Sequence, residues 1–176
     1  MSRIRVPIPE SYWVIPGRFL AGEYPGGFNQ ERVRHRMDAC LEAGLNTFIN
    51  LTGPDELPPY LPVLQEQAKI HRKNVEMIHL PIRDFGLPTH AEMVNILNHI
   101  DKALENQHNV YLHCWGGIGR TGTTVGCYLV RHGITGEQAL AQLAEWWQTD
   151  PRRTWYPRTP ETDEQVQFVR EWHELA

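Results

Sequence analysis

The ten residues His113-Cys114-Trp115-Gly116-Gly117-Ile118-Gly119-Arg120-Thr121-Gly122 combine a thiol, a glycine-rich turn and an arginine in one short stretch. Backbone N–H groups of such a turn can point inward as an anion-binding nest. Gly116, Gly117 and Gly119 permit the positive φ values and close approach that a nest requires. A helix beginning near Arg120 adds the positive end of its dipole. The Arg120 guanidinium offers a planar fork to two oxygens of a tetrahedral oxyanion, so it is expected to hold a phosphoryl group and follow its charge into the transition state. The same field is expected to favour the thiolate of Cys114 over the thiol and so to make it a nucleophile. Thiolate attack on phosphorus needs no metal. Tight packing explains a lone glycine turn, and inert filling explains a lone strand-end cysteine, but neither explains thiol, cradle and arginine together. A nucleotide loop does not fit, because Gly-x4-Gly-Lys-Ser/Thr is absent and no lysine lies in the turn.

These residues have to be delivered by a strand over residues 110–113 and carried on by a helix over 120–132 that Gly133 terminates. Upstream, the proline-rich first 28 residues read as an extended segment with one short strand near residues 19–21. The spacing of Val33, Met37, Cys40 and Leu41 predicts a helix over residues 29–43, capped at Gly44. Strands follow at 46–51 and 75–80, with a helix over 61–72 between them and a proline-bounded loop at 81–88. Thr89 and Glu92 form a capping box ahead of the apolar stripe Met93, Leu97, Ile100 and Leu104. Two last helices, at 135–147 and 162–174, each open with Thr-x-x-Gln and are joined by a Pro- and Arg-rich connection at 150–160. Strand–helix–strand repetition without a hairpin signature predicts an α/β fold: a central, mostly parallel sheet of four to five strands flanked by helices, as one domain over residues 1–176. Ligands bind such sheets beyond the strand carboxyl ends, where the turn after His113 lies.

Composition limits the partners. With 17 Lys and Arg against 21 Asp and Glu, the net charge of −4 supplies no global field for nucleic acid or an anionic membrane, so any anion site is local. Apolar residues at 41% provide ample core and exclude disorder. Cys40, Cys114 and Cys127 are an odd set without a Cys-x2-Cys pair, and the first residues lack a signal-peptide stretch. The longest apolar run, residues 127–130, is far short of the roughly 20 residues a membrane helix needs. The expectation is a cytoplasmic monomer with free thiols, no cofactor, no metal, and neither nucleic acid nor membrane as partner.

The stretch from His113 to Thr121 resembles the His-Cys-x5-Arg-Ser/Thr signature of cysteine-dependent protein tyrosine phosphatases. Together with Ile15-Pro16-Gly17-Arg18-Phe19-Leu20-Ala21-Gly22 and Phe48-Ile49-Asn50-Leu51, it is similar to the compact bacterial and archaeal members of the dual-specificity branch. The resemblance implies that Cys114 is the nucleophile, Arg120 the phosphate clamp, His113 a residue ordering the loop and supporting the thiolate, and Thr121 a donor to the departing sulfur. Trp115, Gly116, Gly117, Ile118 and Gly119 are then expected to bind phosphate through their main-chain N–H groups. Asp84, in a loop directly after a strand and thirty positions before Cys114, matches the family's acid loop. It is expected to protonate the leaving group and then activate water. Asp55 and Glu56 are its competitors and read better as surface-turn carboxylates. Pro160-Glu161-Thr162-Asp163-Glu164-Gln165 resembles the late loop whose glutamine positions water in some branches, which makes Gln165 a candidate as well as an ordinary helix cap. Arg152, Arg153 and Arg158 could form a positive rim or a solvated loop. Cys40 and Cys127 could protect Cys114 through a disulfide but sit at core positions of helices. The expected substrate is a phosphorylated protein, phosphotyrosine before phosphoserine or phosphothreonine, or a small phosphomonoester. Trp115 and Ile118, where phosphoinositide and inositol phosphate phosphatases often carry lysine, lower the odds of that alternative. A phosphotransferase and a non-catalytic phosphate-binding module are the remaining readings.

Overall fold

The computed structural model describes residues 3–174. Among them, β1 (Ser11–Ile15), β2 (Phe19–Gly22), β3 (Thr47–Asn50), β4 (Glu76–His79) and β5 (Val110–His113) form one sheet in the order β1-β2-β5-β3-β4. β5 pairs in parallel with β2 on one side and β3 on the other, and β4 continues the parallel set beyond β3. β1 is antiparallel to β2. This edge strand lies in what the sequence suggested was a merely extended segment. Its hairpin closes at Pro16-Gly17, where Gly17 takes φ +73° and Arg18 N–H donates to the Ile15 carbonyl at 2.9 Å. Prolines flank β1 without interrupting it, as an edge strand tolerates.

Side-chain alternation along the sheet assigns two cores. Val110 and Leu112 of β5 join Phe19, Ala21 and Ile49 against Met93, Leu97, Val125, Leu143 and Val169. Tyr111 joins Leu20 and Phe48 against Val33, Met37, Leu41 and Leu64 on the other face. The first face therefore carries α3 (His90–Glu105), α4 (Gly119–Arg131), α5 (Gly136–Trp147) and α6 (Asp163–Arg170). The second carries α1 (Gln30–Glu42) and α2 (Leu61–Ile70). Gly44 and Gly133 take positive φ after α1 and α4, and Thr89, Thr135 and Thr162 each form a full capping box. Cys40 and Cys127 are fully buried in separate cores. None of the helices among the described residues is long and apolar enough to cross a membrane.

Two close approaches fix the late segment beside the glycine-rich turn. A Cβ on Gly126 of α4 would fall 2.6 Å from a methyl of Val169 in α6, and one on Gly122 would fall 2.1 Å from Thr159 Oγ1. Small residues at these positions let residues 159–170 lie directly on α4.

Candidate active site

β5 ends at His113, in the middle of the sheet, and Cys114 follows with only 3% of its surface exposed. The chain then turns through Trp115–Ile118 into α4. Trp115 carbonyl accepts from Tyr24 N–H at 2.8 Å, which ties the turn to the segment after β2. Of the three glycines expected to need positive φ, Gly117 alone has it, at +72°. A Cβ there would also come within 2.2 Å of the Gly22 carbonyl carbon, so both conformation and space demand glycine. At Gly119, already in the helix, the demand is purely spatial, since a Cβ would meet the Gln165 amide at 3.0 Å and Glu161 Oε2 at 3.2 Å.

Ile118 occupies the N-cap of α4 and provides no side-chain cap. No N–H of residues 115–121 is bonded to a protein acceptor among the described residues; the first paired one is Gly122, which donates to Ile118 carbonyl at 3.3 Å. Trp115, Gly116, Ile118, Gly119 and Arg120 line one cavity with Cys114, where unpaired donors and the start of α4 favour negative charge. The cavity there is about 380 Å³ and includes Cys114, Arg120, Asp84, Glu161, Glu23 and Arg152 in its lining.

Arg120 is 2% exposed, yet five oxygens from four residues surround it. Nη1 donates to Glu56 Oε2 at 2.9 Å and Ile82 carbonyl at 3.1 Å, with Leu51 carbonyl at 3.4 Å. Nη2 donates to Glu56 Oε1 at 2.7 Å and lies 3.1 Å from Asp84 Oδ1. Burial works against the guanidinium charge, but the Glu56 hydrogen bonds and the charges of Cys114, Glu56 and Asp84 outweigh it and hold the cation firmly. Glu56 is thus no surface-turn carboxylate. It braces Arg120 through a two-point ion pair, and its Oε2 also accepts Gly53 N–H at 2.6 Å. The bonds from Arg120 hold its carboxyl below the usual range against the effect of burial. A contact between residues 64 positions apart leaves no local trace in the sequence, and Gly-Pro-Asp-Glu after a strand has the composition of an ordinary turn.

Asp84 reaches the cavity from the loop between β4 and α3. Its Oδ1 accepts Phe85 N–H at 3.0 Å besides facing Arg120, and its side chain is 42% exposed. His113 is fully buried. Burial pushes its pKa down to about 3, with the Cys114 carbonyl acting upward and His79 downward, so the ring is neutral at physiological pH. Nδ1 lies 3.4 Å from Cys114 carbonyl, which can only accept, and Nε2 lies 2.7 Å from Tyr60 Oη. The proton therefore sits on Nδ1, and Tyr60 donates to Nε2. Tyr60, fully buried in α2's N-cap, is a second residue that sequence reading passed over; a lone aromatic at a helix start carries no chemical signal. Thr121 Oγ1 is buried without a hydrogen-bond partner. Gln165 is buried, its Oε1 accepting from the N–H groups of Glu161 and Thr162 at 3.1 Å and its Nε2 donating to Gly86 carbonyl at 3.3 Å. It fastens the late loop to the Asp84 loop. Arg152 stands at the mouth, bonded to Asp150, whereas Arg153 and Arg158 bond the Asp150 and Glu161 carbonyls.

A family model described as "Swiss Army Knife protein, DSP-PTPase phosphatase domain" matches residues 9–171. An uncharacterised protein of Methanocaldococcus jannaschii is 30% identical over 98 residues, covering 56% of this chain and 60% of that protein. Cyclin-dependent kinase inhibitor 3 of Homo sapiens is 33% identical over 69 residues, 38% of this chain and 32% of its own. Both alignments thus span less than two thirds of the curated relative. The crystal structure of Tk-PTP in its active form is similar over 93% of this chain and 95% of its own, with a TM-score of 0.69 and 26% identity. PTPMT1 in complex with PI(5)P (TM-score 0.63, 19% identity, 89% and 90% covered) and P. aeruginosa TpbA in complex with pTyr (0.63, 17%, 94% and 85%) share the fold.

Proposed function

Because the chain belongs to the DSP-PTPase phosphatase domain family, we propose that it hydrolyses phosphomonoesters through a cysteinyl phosphate on Cys114, with phosphotyrosine in proteins as the preferred substrate class. The observation that carries this reading is the run of N–H groups at residues 115–121 without a protein acceptor among the described residues, in a turn whose Trp115, Gly116, Ile118 and Gly119 line one cavity with Cys114 and Arg120.

The donors of Arg120 define how phosphate fits. Glu56 and the Ile82 carbonyl take three of its five N–H groups, and Asp84 Oδ1 stands 3.1 Å from Nη2 outside that set. A phosphoryl group entering the cradle takes the Nε–Nη2 edge as a two-point fork and displaces Asp84 from it. Substrate binding thus releases the carboxyl group that the leaving oxygen needs. Cys114 sulfur attacks phosphorus, Asp84 delivers its proton as the P–O bond breaks, and the loop N–H groups hold the equatorial oxygens throughout. Neutral His113 fixes the Cys114 carbonyl and adds no positive charge to the thiolate. A thiolate leaving phosphorus would supply the acceptor that the buried Thr121 hydroxyl lacks.

Charge and shape of the mouth favour an aryl monophosphate over a polyphosphate. The lining carries Glu23, Asp84 and Glu161 against Arg120 and Arg152, and both arginines already have carboxylate partners. Extra phosphates would meet net negative charge there. Phe85, Trp115 and Tyr156 line the same cavity and are all exposed, giving apolar faces for a phenyl ring and its neighbours.

The test is phosphate release from p-nitrophenyl phosphate, a phosphotyrosyl peptide and an inositol polyphosphate in excess EDTA, with wild type and Cys114→Ser. Turnover of the first two by wild type alone is the expected result. Equal turnover by Cys114→Ser overturns the cysteine mechanism, and preference for the inositol polyphosphate overturns the substrate class.

A further inference from the structure

We infer that a second cavity, between the start of α1 and the glycine-rich turn, takes a glutamate side chain of the substrate, within about three residues of its phosphotyrosine, and that Arg32 selects it. This rests on the phosphoprotein reading above and adds a second recognition site to it.

The second cavity is about 230 Å³. Phe28, Arg32, Arg36 and Leu57 help to line it, and it shares Glu23 and Trp115 with the catalytic cavity. A peptide whose phosphotyrosine fills the first cavity can therefore cross Trp115 into the second. Side chains two positions apart on an extended segment point to the same side, about 7 Å from each other, so adjoining cavities can hold two side chains of one short peptide. The walls are set before anything binds. Tyr24 Oη donates to Pro58 carbonyl at 2.7 Å and Tyr24 N–H to Trp115 carbonyl at 2.8 Å. A Cβ on Gly26 would fall 2.6 Å from the Tyr24 ring and 3.1 Å from Tyr60 Cβ, so the chain after β2 lies flush against the start of α2. Asn29 caps α1 by accepting Arg32 N–H at 3.0 Å.

Charge indicates the occupant. Four arginines line the two cavities, and three are already matched: Arg120 by Glu56, Arg152 by Asp150, and Arg36 by Glu23 at 3.0 Å. The exposed side chain of Arg32 has no ion-pair or hydrogen-bond partner among the described residues. With Arg32 and Arg36 against Glu23, the second cavity is net positive, opposite in sign to the catalytic mouth. Its other walls are largely apolar. Phe28 is 88% exposed and Trp115 52%, so an occupant that covers them removes apolar surface from water. A carboxylate on an alkyl stem meets both demands, its charge going to Arg32 and its methylenes to Phe28 and Leu57. Glutamate has that stem. Aspartate brings the same charge on a shorter one, lysine brings a stem with the wrong sign, and leucine leaves Arg32 unmatched.

The experiment measures kcat/KM for phosphotyrosyl peptides of alanine background that carry a single Glu, Asp, Lys or Leu at successive positions on either side of the phosphotyrosine. Wild type should favour Glu over Lys by about three- to tenfold at one position, through KM, with Asp and Leu between them. The preference should shrink in 0.5 M NaCl, a concentration chosen to screen a half-exposed ion pair. Arg32→Glu should invert the order of Glu and Lys while kcat/KM for p-nitrophenyl phosphate stays within twofold of wild type. Arg32→Gln should abolish the difference, and it carries the test if the reversed charge misfolds. Phe28→Ser should narrow the advantage of Glu over Asp. Equal rates with Glu and Lys at every position, a preference that Arg32→Glu leaves in place, or Leu ranking above Glu overturns the inference. So does turnover of p-nitrophenyl phosphate with no peptide hydrolysed. Failure of wild type to hydrolyse p-nitrophenyl phosphate, or equal hydrolysis by Cys114→Ser, overturns the phosphatase mechanism itself.

Discussion

Replacing Glu56 by glutamine keeps the size of the side chain and removes the charge that braces Arg120. The pair is well buried, at 2% and 18% side-chain exposure, and is held at 2.7 and 2.9 Å. Charge-assisted hydrogen bonds contribute about 1.5–3 kcal/mol each, and breaking a buried pair by removing one partner costs about 3–5 kcal/mol. Glutamine keeps one acceptor, and Asp84 and the Ile82 carbonyl continue to face the guanidinium. The expected loss is therefore about 2–3 kcal/mol, which in a domain of this size lowers Tm by roughly 4–12 °C. The pH dependence has a definite sign. Because Arg120 holds the Glu56 carboxyl below its unfolded value of about 4.3, its contribution is complete above that value and is lost as pH falls through the folded one. The stability gap between wild type and variant should stay constant from pH 8 to 5 and close below about pH 4. With the clamp unbraced, kcat/KM for an aryl phosphate should fall at least about tenfold, equivalent to about 1.4 kcal/mol of transition-state stabilisation. Urea unfolding across pH and steady-state kinetics measure both effects. A variant that melts with wild type at pH 7 and keeps its kcat/KM would refute the bracing role.

Asp84→Asn should lower kcat by about 10²–10⁴-fold, most for poor leaving groups, while inhibition by inorganic phosphate tightens because the Arg120 edge is no longer contested; a uniform loss across leaving groups would count against an acid role. Gly117→Ala meets both a positive φ and the Gly22 backbone, so it should cost about 3 kcal/mol or more and be visible in thermal melts. His113 has a folded pKa of about 3 against an ordinary 6.5, so its share of stability is complete above about pH 6.5 and declines toward pH 3. His113→Asn should therefore flatten the stability–pH curve between pH 6 and 4 by about 1.4 kcal/mol per unit, and an unchanged slope would contradict a neutral ring.

The elements that obey local rules were legible from sequence: the capping boxes at Thr89, Thr135 and Thr162, the terminators Gly44 and Gly133, and the parallel strands that feed the glycine-rich turn. Cys114 and Arg120 could be picked out because a strand end and a helix start give a thiol and a guanidinium a use, whereas Asp84, an ordinary turn residue by its neighbours, stood out only through the family resemblance. What stayed hidden depends on contacts across the fold. Glu56 acquires its character only from Arg120, and Tyr60 only from His113, 53 residues away. Gln165 was visible as a cap, but its bond to Gly86 depends on how α6 lies on α4. β1 was missed for a different reason: prolines on both sides suppress the strand signal although the hairpin turn at Gly17 restores it.

The place of β5 in the sheet separates the motions of the site in time. Flanked by β2 and β3 and covered on both faces, β5 can expose its amides to exchange only when the whole domain opens. The loop that carries Asp84 lacks such protection: Phe85 sits at φ +56° with its ring in solvent, and few main-chain bonds secure its neighbours. Cys114 and Asp84 therefore belong to different cooperative units, one as durable as the native state and one able to rearrange within it. In the proposed reaction, Asp84 can move without loosening the strand that presents Cys114.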